Sequence, residues 1–122
     1  MGEKNKNTIL LIEDEKAISE IFHHLLQADG FEVTCRIDGT SAMLLAMEKC
    51  YDFIITDYRL PGENGIEITR WFRIHCPTAC IIGISAGHKE RDFLEAGADF
   101  FLKKPFLFRE LVDIITRKCN RQ

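Results

Sequence analysis

What most restricts this chain is an alternation: short apolar runs, each followed by a stretch with helical spacing. "TILLI" (8–12), "FIIT" (53–56) and "CIIGIS" (80–85) are nearly continuous apolar runs, the mark of strands buried on both faces. "FEVTCRI" (31–37) alternates as an edge strand does, and "FFLK" (100–103) is the last run. "KAISEIFHHLLQADG" places Ile18, Ile21, Phe22, Leu25 and Leu26 on one helical face, and Gly30 stops it. "DGTSAMLLAMEKC" (38–50) opens on capping residues and reads as a second helix. "GIEITRWFRIHC" (65–76) carries Ile68, Trp71 and Phe72 on one side and is ended by Pro77. "HKERDFLEAG" (88–97) is a short helix closed by Gly97, and "FRELVDIITRKC" (108–119) repeats Phe108, Leu111, Val112 and Ile115 at helical spacing. Five strands and five helices in strict alternation predict an α/β, doubly wound parallel sheet, covered by helices on both faces and joined by right-handed crossovers.

The length of 122 residues suits one domain, 1–122, with 46% hydrophobic residues for its core and 29% charged for its surface. A net charge of -3 argues against direct nucleic-acid binding, since such domains are usually basic. There is no apolar run long enough to span a membrane, and "MGEKNKNT" lacks the apolar stretch of a signal peptide. The five cysteines (Cys35, Cys50, Cys76, Cys80, Cys119) therefore read as reduced cytoplasmic thiols. His75, Cys76 and Cys80 lack the second ligand pair of a zinc site and read as core.

In a sheet of this kind ligands bind beyond the carboxyl ends of the strands, near the point where strand order reverses. Glu13 and Asp14 follow the first strand, Asp57 the third, Ser85 the fourth, and Lys104 the fifth. Three carboxylates crowded there repel one another unless a cation neutralises them, and Mg²⁺ accepts such oxygen ligands. The ammonium of Lys104 calls for a further anion. A carboxylate, a divalent metal, a hydroxyl and a lysine together can handle a phosphoryl group, with Asp57 as nucleophile.

The pair "ED" after strand one, "DYRLPGENG" after strand three, "SAG" after strand four and "GADFFLKKPF" around strand five occur in order at the right strand ends. On these motifs residues 8–119 resemble the receiver domain of a bacterial-type two-component response regulator, similar to the chemotaxis regulators. The resemblance implies a flavodoxin-like (βα)5 sheet in the order 2-1-3-4-5. It implies that Asp57 is the phosphoacceptor, served by a histidine kinase or histidine phosphotransfer protein. Glu13, Asp14 and Asp57, with the Arg59 backbone carbonyl, would hold Mg²⁺ or Mn²⁺. Ser85 would hydrogen-bond the phosphoryl group and Lys104, ahead of a cis Pro105, would pair with it. Ser85 and Phe101 would be the switch pair, acting on the face formed by helix 4, strand 5 and helix 5. The domain would modify itself and hydrolyse the product without turning over as an ordinary enzyme. Its output domain or target would lie outside this chain, with a homodimer allowed.

Two features depart from that pattern. Only 19 positions separate Ser85 from Lys104, so the β4–α4 loop or helix 4 is shortened by about one turn, and a loosely ordered helix 4 is expected. Arg59, two places after Asp57, brings a guanidinium over the site, where it would shield the phosphoryl group; Gly87, two places after Ser85, brings no shield. An interaction module that never uses Asp57 is the alternative. A haloacid-dehalogenase-type phosphatase would want an Asp where Arg59 stands, and a nucleotide-binding fold would want a glycine-rich loop after strand one.

Overall fold

The computed structural model describes residues 7–119, with side chains described as far as Arg117. The strands are β1 (Thr8–Ile12), β2 (Glu32–Arg36), β3 (Phe53–Asp57), β4 (Cys80–Ser85) and β5 (Phe100–Lys103). The helices are α1 (Lys16–Ala28), α2 (Gly39–Ala46), α3 (Gly65–His75), α4 (Glu90–Ala96) and α5 (Phe108–Cys119). All four strand pairings are parallel, in the order β2-β1-β3-β4-β5. The order reverses between β1 and β3, so the crevice beyond their carboxyl ends is where Glu13, Asp14 and Asp57 emerge.

Each central strand feeds two cores because its side chains alternate between faces. Leu10, Ile12, Ile54 and Ile81 meet Ile68, Phe72 and Phe93 of α3 and α4. Ile9, Leu11, Ile55 and Ile82 meet Leu26, Leu111 and Ile115 of α1 and α5. Every one of these side chains is essentially inaccessible. Each contributes about 1.5–3 kcal/mol, so the core alone holds β3 straight up to Asp57.

Several expectations need correction. Ile21 and Leu25 are exposed and Ile18 is only half-buried; α1 packs through Phe22 and Leu26, a narrower stripe than the apolar spacing suggested. Helix α2 stops at Ala46 rather than running to Cys50. Cys50 and Cys76 are not free thiols but form a disulfide, with Cα atoms 5.8 Å apart. The two lie 26 positions apart, and only the packing of the α2–β3 loop beside the end of α3 brings them together. Cys35 and Cys80 take no part in that bond; the side chain of Cys119 and residues 1–6 lie outside the described residues.

Helix α4 is short, at seven residues, yet it is anchored. Phe93 is fully buried, and Gly97 closes the helix at φ 118°, a conformation a side chain would strain. Arg73 of α3 donates from Nε to the Gly97 carbonyl at 2.9 Å, and from its NH1 group to Pro77 and Ala79 carbonyls at 2.9 and 3.0 Å. Its remaining nitrogen pairs with Asp99 at 2.8 Å, and Asp99 in turn accepts from the Ile81 N–H at 2.9 Å. One guanidinium thus ties the short α4 to α3 and to the starts of β4 and β5.

Candidate functional site

At the end of β1, the Glu13 N–H continues the ladder to the Arg36 carbonyl at 3.0 Å, which turns the side chain inward. Its carboxylate is 5% exposed and accepts from the Glu15 N–H at 3.0 Å. Glu15 is the N-cap of α1 and makes no side-chain cap, so Glu13 serves the helix start as well as the crevice. Burial pushes the Glu13 carboxyl above its ordinary value; the Glu15 N–H opposes this, and the charges of Asp57 and Asp14 add to it. Asp14 is exposed beside it.

Asp57 caps β3 and is 9% exposed. One carboxylate oxygen, Oδ1, accepts from the Tyr58 N–H at 2.9 Å; the other, Oδ2, lies 3.2 Å from Lys104 Nζ. The chain turns away at once: Gly65 N–H donates to the Tyr58 carbonyl at 2.9 Å, so near the strand end that a Cβ at 65 would overlap the Asp57 carbonyl. Asn64 opens α3 with a full capping box, its side chain accepting from Ile66 and Glu67 N–H groups and Glu67 returning the bond.

The Lys104 N–H bonds the Ser85 carbonyl at 2.9 Å, which fixes the backbone from which its side chain reaches Asp57; the following Lys104–Pro105 peptide is cis. Lys103, in register with Ser85, is exposed and lines the neighbouring hollow, not the site cavity. Ser85 is buried, and its Oγ accepts from the Gly87 N–H at 3.0 Å. Its own O–H is thereby left to donate into the crevice.

Glu13, Asp14 and Asp57 bring carboxylate oxygens within 4.8 Å of one another. Three hard oxygen donors, two of them on buried residues, fit a divalent cation such as Mg²⁺. Above them opens a cavity of about 480 Å³ lined by Asp14, Asp57, Arg59, Ser85, Gly87 and Lys104. A larger hollow, about 760 Å³, lies beyond the β4–α4 loop, against Glu90, Leu94, Phe101 and Lys103; it holds none of the carboxylates.

Glu13, Asp14, Asp57, Ser85 and Lys104 are therefore brought together. Arg59 is exposed at the cavity rim and makes no ion pair among the described residues. Gly87 leaves the cavity mouth open, since even a Cβ there would only touch Ser85 Oγ at 3.7 Å. Phe101 is half-buried against Phe93, ring centroids 5.7 Å apart, well apart from the carboxylates. His88 lines the larger hollow instead of the site. One residue escaped sequence reading. Lys89 lines the 480 Å³ cavity with Asp57, its Nζ 4.6 Å from the Tyr58 ring centroid, and the spacing of a short helical stretch carries no sign of it.

Residues 9–116 match the sequence profile of the response regulator receiver domain. Among solved structures, a response regulator receiver domain protein from Clostridium thermocellum is 28% identical with a TM-score of 0.88, covering 94% of this chain and 95% of that one. A chemotaxis response regulator of Vibrio cholerae is 26% identical with a TM-score of 0.85, covering 93% and 98%. The non-phosphorylated HemR receiver domain of Leptospira biflexa is 27% identical with a TM-score of 0.85, covering 96% and 97%.

Proposed function

This chain belongs to the response regulator receiver domain family, and from that premise we propose that it accepts a phosphoryl group on Asp57 from a phosphohistidine of a histidine kinase or phosphotransfer protein. The observation that carries this reading is the pairing of Lys104 with Asp57, at 3.2 Å, inside a cluster of three carboxylates. Asp57 is held rigidly by β3, and its carboxylate needs no general base to act as nucleophile. An Asp57 oxygen attacks phosphorus, the P–N bond breaks, and its electron pair leaves with the imidazole. Lys104 follows the transferred charge, shifting its ion pair from the carboxylate to a phosphoryl oxygen. The Ser85 hydroxyl donates to a second oxygen while still accepting from Gly87 N–H. Glu13, Asp14 and Asp57, with the Arg59 carbonyl, would hold Mg²⁺ or Mn²⁺, which when bound would neutralise negative charge in the site.

Drawing Ser85 toward the phosphoryl group pulls on β4, over which Phe93 packs, and Phe93 touches Phe101. The readout is a shift of the α4-β5-α5 face, sensed by an output domain or target protein, or by a second copy of the chain in a homodimer. The setting we assign is the cytoplasm; among the described residues no helix is long and apolar enough to cross a membrane. The domain modifies itself and slowly hydrolyses the product, so it signals rather than turns over substrate.

The test uses phosphoramidate, a small P–N donor. The protein is incubated with it and Mg²⁺, then reduced with borohydride, which converts an aspartyl phosphate to homoserine. Peptide mass should place homoserine at position 57, dependent on both donor and Mg²⁺, with a large drop in rate for Lys104→Ala. No homoserine at 57 would favour an interaction module that keeps the fold without using Asp57.

A further inference from the structure

At the amino end of the central strand β3, opposite the end that carries Asp57, the Cys50–Cys76 disulfide joins the loop before β3 to the C-cap of α3. Its two sulfurs stand in unlike surroundings. Cys50 is exposed, and a cavity of about 370 Å³ opens over it between Met47, Lys49, Trp71 and His75. Cys76 is 1% exposed and packs in the core with Phe72. An outside thiolate can therefore approach only the Cys50 sulfur, with Cys76 as the leaving group. In the reverse direction only Cys50 can meet an outside oxidant, with Cys76 behind it to resolve the adduct.

Both states are provided for. Cys50 Sγ lies 3.6 Å from the His75 carbonyl oxygen, an acceptor ready for the thiol once the bond opens. The backbone at Cys76 is held without the bond, by Cys76 N–H to the Phe72 carbonyl at 2.8 Å and Ala79 N–H to the Cys76 carbonyl at 3.1 Å. Two well-filled cores leave the fold no need of a staple, unlike small disulfide-built domains.

We infer that Cys50 and Cys76 form a reversible thiol–disulfide exchange site, with Cys50 as attacking sulfur and Cys76 as resolving sulfur, whose co-reactant is a low-molecular-weight disulfide of the glutathione class. Cys50 loses a proton and its thiolate attacks oxidised glutathione, giving a mixed disulfide and one glutathione thiolate. The Cys76 thiolate displaces the second glutathione thiolate and closes the bond. Two electrons pass from the cysteine pair to oxidised glutathione, and reduced glutathione reverses both steps. The site stands apart from the phosphoacceptor chemistry and holds whether or not Asp57 is used.

The wild-type protein, without denaturant, is treated with reduced glutathione, alkylated, digested and weighed peptide by peptide. Cys50 and Cys76 should become alkylatable together, and oxidised glutathione should restore the bond. In the reduced protein Cys50 should alkylate roughly tenfold faster than Cys76, following exposure. Cys76→Ser treated with oxidised glutathione should accumulate a mixed disulfide at Cys50. A bond that opens only in denaturant, equal alkylation rates, or a folded Cys76→Ser protein without the Cys50 adduct would each overturn the assignment. Should that variant fail to fold, the wild-type cycle decides alone.

Discussion

Asp57 sits among charges of both signs, and the balance among them sets what each neighbour can be expected to do. Glu13 holds its proton more tightly in the folded chain than in the unfolded one, because burial disfavours its charge. Its contribution to stability is therefore full below the unfolded value and is lost as pH rises through the raised folded value. A charged Glu13 weighs against the metal-free fold, and a bound divalent cation would relieve it. Glu13→Gln keeps an oxygen for the Glu15 N–H and removes the charge. It should raise the melting temperature of the metal-free protein at neutral pH by a few degrees and shrink the rise that Mg²⁺ gives the wild type. A lower metal-free melting temperature would contradict this. Arg59, at the rim with no competing partner among the described residues, is free to fold over a phosphoryl group and hinder water. Arg59→Ala should then dephosphorylate several-fold faster, as followed by loss of the phosphorylated mass; a slower loss would remove Arg59 from that role.

Two anchors on α3 hold the elements around the site. The Asn64 capping box fixes the helix start one residue before Gly65, which abuts the Asp57 carbonyl. Asn64→Ala should cost about 1 kcal/mol, read from the urea midpoint. At the other end Arg73 satisfies three carbonyls and pairs with Asp99, joining α3 to α4 and to strands β4 and β5. Arg73→Ala should cost about 2–3 kcal/mol, because it strands several acceptors at once. Arg73→Lys should recover little, since an ammonium cannot reproduce the fork. Full recovery by lysine would show that charge alone matters there.

Over the whole molecule, strand and helix order was legible because apolar runs and helical stretches differ in period, and the site followed because strand ends in a parallel sheet converge. Glu13, Asp14, Asp57, Ser85 and Lys104 are each the first or second residue beyond a strand's last apolar position, so their meeting needed only topology. What escaped depends on packing across elements. Lys89 over Tyr58, the Arg73 hub and the Cys50–Cys76 bond each join positions whose contact no periodicity encodes. Ile21 and Leu25 were misplaced for the opposite reason: the apolar stripe on α1 is wider than the groove it fills. The central claim, that this fold exists to present Asp57 to a phosphoryl donor, is tested most directly by intact mass. The protein is incubated with acetyl phosphate and Mg²⁺, wild type beside Asp57→Asn. The account predicts one added phosphoryl group on wild type and none on Asp57→Asn; an equal gain in both, or none in either, would contradict it.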